Sequence, residues 1–140
     1  MSGINMTRVV LGGLVAGVVL NVGETIFNGV LFGEATDAAV KALNLPPMTG
    51  ATIVWFIISA FIFSIAMIWL YAAIRPRLGA GPKTAICAGL TAWTFGYLFP
   101  SIGFLAMGLF PRNLLIFGLV WSVFEVSIAA VAGAYFYREA

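Results

Sequence analysis

Histidine is absent from this chain, cysteine occurs once, and charged residues make up only 9% of its 140 residues. Each shortage closes off a class of chemistry. Without histidine, the usual axial ligand of haem and the commonest ligand of zinc and copper are missing, so no metal site is expected. The single cysteine, Cys87, allows neither a CxxC pair nor a disulfide within the chain. Placed in the third apolar run, it is expected to be a buried, inert thiol. No glycine-rich phosphate loop and no nucleophile-histidine arrangement occurs. Two carboxylates within the apolar runs, Glu24 and Glu125, could serve acid/base chemistry, but no substrate-positioning cluster accompanies them. The expectation is a protein that is not an enzyme, with no catalytic residue and no cofactor. A formal charge of +2 gives no reason to expect a nucleic-acid partner.

Apolar residues fill the space left by charge. They make up 62% of the chain, whereas a soluble domain carries about 25% charged residues. Four runs reach the roughly 20 residues that a helix needs to cross a bilayer: Val9 to Phe32, Ala51 to Ile74, Ala85 to Leu109, and Leu114 to Phe136. None alternates as the strands of a membrane barrel must, and continuous apolar segments satisfy their backbone groups internally only as helices. The expected fold is therefore an all-α integral membrane protein, a four-transmembrane-helix bundle forming one domain over residues 1–140. The first run is too long for a signal peptide and lacks a small-residue cleavage site; it is read as a retained span.

Cations set the expected orientation. With the N-terminus inside, Arg8, Arg75, Arg77, Lys83 and Arg138 face the cytoplasm and Lys41 and Arg112 lie outside. Both termini are then cytoplasmic. The outer connection "GEATDAAVKALNLPPMTG" offers Thr36 or Asp37 as a helix cap, Ala39, Val40 and Leu43 on one face, and a stop at Pro46-Pro47. It is expected to form a short amphipathic helix on the outer membrane surface. The inner "RPRLGAGPK" reads as a tight turn pinned to acidic headgroups. Trp55, Trp69, Tyr71, Tyr135 and Tyr137, near span ends, are expected at the membrane interface.

The stretch "GVVLNVGETIFNG" breaks the first apolar run with Asn21, Glu24 and Asn28. Their spacing of i, i+3 and i+7 places them on one helical face, continued backward by Gly17 and Gly13. The fourth run has a comparable stripe of Gly118, Ser122, Glu125, Ala129 and Ala132. Small residues let membrane helices approach closely. The first and fourth spans are expected to pack along Gly13, Gly17, Gly118 and Ala129, with Asn21, Glu24, Asn28, Ser122 and Glu125 as an intramembrane polar cluster. In that cluster Glu125 is expected to bond to Asn21. The third span has a small face of Ala85, Gly89, Ala92, Gly96 and Gly103, and Pro100 should bend it, so that Tyr97 and Ser101 could line a polar cavity. The second span looks the most lipid-exposed.

The whole chain, with "LGGLVAGVVLNVGE" at its start and "WSVFEVSIAAVAGAY" in its last span, resembles small four-span bacterial inner-membrane proteins of unknown activity. That resemblance implies a multi-pass protein of the bacterial cytoplasmic membrane and supplies no site residues. The chain also has a distant architectural likeness to the small multidrug transporters, which pair four short helices with a glutamate in the first. Here the acid lies late in span one, a second acid lies in span four, and the outer loop is longer.

Two functions follow as expectations. The first is a structural or accessory membrane protein, a homo-oligomer or a subunit of a larger membrane complex, with its glutamates as interhelical hydrogen-bond glue. The alternative is a proton-coupled transporter or channel-like oligomer for a small or cationic molecule, using Glu24 and Glu125. The bilayer is a partner in both.

Overall fold

Four apolar helical segments, Met6–Leu31, Gly50–Leu78, Pro82–Met107 and Arg112–Phe136, are long enough to cross a membrane in the computed structural model, which describes residues 3–139. They are built from helices α1 (Met6–Thr25), α2 (Gly33–Ala42), α3 (Gly50–Leu78), α4 (Pro82–Trp93), α5 (Phe99–Met107) and α6 (Arg112–Phe136). A π-helical segment, Ile26–Leu31, extends α1, and another, Thr94–Leu98, joins α4 to α5. No strand occurs among the described residues. The spans run up and down as a ring: α1 packs on α3, α3 on α4, α4 on α6, and α6 back on α1. Spans one and three therefore face each other across a diagonal.

Local chemistry places most of the boundaries. Asn5 caps α1 by accepting from the Arg8 N–H. Pro82 sits at the start of α4, where its missing donor is not needed. Gly108 ends α5 with φ +66°, donating to Leu105 while Leu109 donates to Phe104, the paired bonds of a Schellman stop. Asn44, at φ 56°, ends α2 through the same pair of bonds to Lys41 and Val40. The helix thus ends at Ala42, four residues before Pro46. It also begins earlier than expected, at Gly33, so Thr36 and Asp37 lie inside it and Phe32 is its cap. Ala39 is buried, and Val40 and Leu43 are partly so.

The turn between spans two and three is shorter than the sequence suggests. Arg75, Pro76 and Arg77 belong to the last turn of α3, leaving Gly79 to Gly81 as the connection. Gly79 and Gly81 have φ of +86° and +134°, which a side chain would strain. The buried Thr84 hydroxyl donates to the Gly79 carbonyl at 2.7 Å, and the Tyr71 hydroxyl accepts from the Gly81 N–H.

The bend at Pro100 takes a specific form. Proline removes the donor that Gly96 would receive in an α-helix, and the chain widens just before it: the Phe99 N–H reaches back five residues to Thr94. The irregularity is a π-helical turn.

The core lies in the half of the bundle that carries the termini. Val9, Ala16, Met67, Ile68, Ala72, Ala85, Ala88 and Ala130 are buried there. Tyr71 and Tyr137, each 4% exposed, stack edge to face within it. The backbone N–H of Asn5 donates to the Tyr137 hydroxyl, which ties the two chain ends together. At the other end, residues 50–59 are exposed and α5 buries no residue. Trp55, Trp69 and Tyr135 face outward. So does Cys87, contrary to the expected buried thiol, because Ala85, Ala88 and Gly89 occupy the packed face of α4.

Candidate functional site

A helix turns about 100° per residue, so neighbouring glycines serve different partners. Gly12 faces α6: a Cβ there would lie 2.5 Å from the Gly133 carbonyl oxygen, and one on Gly133 would lie 2.6 Å from that of Gly12. Gly13 and Gly17 instead meet Ile65 and Phe61 of α3. The seam between spans one and four therefore runs along Gly12, Ala16, Gly23 and Gly133, not along Gly13 and Gly17 as expected. Ala129 is buried, while Gly118 approaches only the Phe27 ring, at 3.7 Å.

The same rotation divides the polar residues of α1. The Asn21 amide donates to the Gly17 carbonyl at 2.9 Å, on the side facing α3. It does not reach Glu125, and the expected Asn21–Glu125 pair is not formed. Glu24, three residues on, points into the bundle. Its Oε2 accepts from Asn28 Nδ2 at 2.9 Å and its Oε1 accepts from the Tyr97 hydroxyl at 3.2 Å. The Thr36 hydroxyl of α2 donates to Asn28 Oδ1 at 3.4 Å. A hydrogen-bonded line thus runs from α2 through Asn28 and Glu24 to Tyr97. Asn28 and Tyr97 both sit in π-helical segments, where the wider turn redirects side chains inward. Pro100 and Ser101 are half-buried just beyond Tyr97 and outside this line.

Glu125 has a different environment. It is 6% exposed, and neither carboxyl oxygen has a hydrogen-bond partner. Its side chain fills the space that a Cβ on Gly23 would need, with Cδ only 2.7 Å from that position. Trp121, one turn earlier, brings its buried indole N–H near this carboxyl, outside good hydrogen-bonding geometry. Glu125 and Glu24 are near enough to interact through their charges. Among the described residues no cation enters: Arg75, whose guanidinium lies over the Tyr137 ring and beside Glu139, belongs to the terminal end. Among the described residues no group of three metal-ligating side chains occurs.

Ser122 accepts from the Trp93 indole N–H at 2.8 Å and donates to the Leu119 carbonyl, joining spans three and four. Trp93, Trp121 and Gly23 were not singled out from the sequence. The available signal was depth: a tryptophan in mid-span cannot place its N–H in the headgroups and must find a partner inside. Of the expected cluster, Glu24 and Asn28 are joined and Glu125 is held close by, whereas Asn21 is turned away and Ser122 bonds elsewhere. No known protein family, curated protein or solved structure matches the chain.

Proposed function

We propose that this chain is a proton-coupled transporter or channel-like oligomer for a small or cationic molecule, with Glu125 as the exchanging acid. The observation that carries this reading is the buried Glu125 carboxyl, which has the Trp121 indole of its own helix near it and no hydrogen bond to another helix. An acid in a membrane interior is costly and marks an ion or substrate pathway by default, and an interior glue residue would have both oxygens bonded. Glu24, near Glu125, belongs to the polar line that leads to α2. Orientation belongs to the same proposal: termini inside the cytoplasm of a bacterial cell, and α2 on the outer face of its inner membrane.

A second reading, an accessory subunit or structural homo-oligomer, is favoured by Glu24, whose two oxygens are both bonded, one to Asn28 of its own span and one across the bundle to Tyr97. The experiment uses purified full-length protein in vesicles that contain a pH-sensitive dye, challenged with methylammonium, choline or guanidinium. Cation-driven proton movement should occur in the parent and vanish in Glu125→Gln, which keeps the side-chain shape but cannot release a proton. Equal traces for the parent and a stably folded Glu125→Gln protein return the chain to the accessory reading, as does a fixed set of co-purifying subunits.

A further inference from the structure

The face of α1 that carries Asn21 meets no helix beyond α3. Val18, Asn21, Val22 and Thr25 form one wall of a groove of about 440 Å³, and Ile57 and Phe61 of α3 form the other. In the bilayer this groove opens sideways toward the hydrocarbon. Asn21 uses one amide hydrogen on Gly17; its other hydrogen and its Oδ1 have no partner among the described residues. Lipid tails offer none either, and an unsatisfied amide in hydrocarbon is unfavourable.

We infer that the groove is the contact between two copies of this chain, related by a twofold axis along the membrane normal, with the two Asn21 amides bonded to each other. Such an axis keeps every residue at the depth of its copy, so a residue on the axis meets itself. An amide is suited to this, because it donates and accepts at once. The shape is also self-complementary. Leu14, Val18, Val22 and Ile26 form an exposed ridge at four-residue spacing, the last three of them along the rim of the groove, and the ridge of one copy can enter the groove of the other. The contact leaves Glu24 engaged with Tyr97, so it holds whether or not the acids move protons.

The test uses full-length protein with Cys87→Ser, in phosphatidylcholine and phosphatidylglycerol vesicles at low protein density. Counting bleaching steps of a fluorescent C-terminal fusion should give two per particle. Under mild oxidation Val22→Cys should form a disulfide between copies, whereas Ile128→Cys, exposed on α6, should not. Asn21→Leu should weaken the dimer roughly three- to thirty-fold, the range of an interhelical hydrogen bond in a membrane, with the thermal unfolding of the monomer unchanged. Single bleaching steps, cross-linking through Ile128→Cys in place of Val22→Cys, a different protein cross-linked to Val22→Cys, or an Asn21→Leu protein that dimerises like the parent would each overturn the inference.

Discussion

The Tyr97 hydroxyl donates to Oε1 of Glu24 at 3.2 Å, joining spans one and three across the diagonal of a four-helix ring. Spans one and three share no packing face, so the contact depends on two side chains that reach across, Tyr97 from a π-helical turn and Glu24 from the last turn of α1. Tyr97 is fixed from the other side by the Phe63 ring of α3, edge to face at 5.8 Å.

Replacing Tyr97 with phenylalanine keeps that ring contact and removes the bond. Tyr97→Phe is expected to lower stability by about 0.6–2 kcal/mol, the range for interhelical hydrogen bonds in membranes. Reversible unfolding in mixed micelles measures it. Combined with Glu24→Ala in a double-mutant cycle, the two losses should be less than additive, because both remove one bond. Full additivity would mean that the pair is not coupled.

The crossing of α1 and α6 depends on Gly12 and Gly133, where each would-be Cβ collides with the opposing backbone carbonyl, which cannot swing aside as a side chain can. Gly12→Ala or Gly133→Ala should force the helices apart and destabilise the bundle by about 1–3 kcal/mol, the usual cost of overpacking. Gly103→Ala is the control. Nothing lies within 4 Å of a Cβ there, so it should be neutral or stabilise by up to about 1 kcal/mol through helix propensity. Parallel melting curves of the three variants check the contrast.

Gly23 and Glu125 share one space. Gly23→Ala places a methyl group 2.7 Å from Glu125 Cδ and 2.8 Å from its Cγ, and should destabilise the protein. Adding Glu125→Ala should restore most of the loss by vacating that space, whereas Glu125→Gln, equal in shape to the acid, should not. Stability that is simply additive in the Gly23→Ala, Glu125→Ala protein would argue against this contact.

The sequence by itself determined the class and the number of spans. An apolar run of twenty or more residues must close its backbone hydrogen bonds internally, and that requirement is local. The stops at Asn44 and Gly108 are local too, each a left-handed residue, although the sequence alone places the outer helix's stop at Pro46-Pro47 and runs the third span to Leu109. The pair Glu24–Asn28 is local too, one helical turn apart. The tertiary structure alone decided which face of each helix meets which neighbour. The sequence places Gly13, Gly17, Asn21 and Glu24 on one stripe, yet that stripe is wide enough to straddle two partners. A rotation of one residue, about 100°, assigns Gly13 to α3 and Gly12 to α6. That rotation turns Asn21 toward the groove and puts Glu125 against Gly23. The helix axes settle where backbones can approach most closely, and this optimum belongs to all four helices together, so no single stripe encodes it. Tyr97 reached Glu24 by the same logic: Pro100 announced an irregular turn, but only the assembled bundle fixed which corner that turn would face.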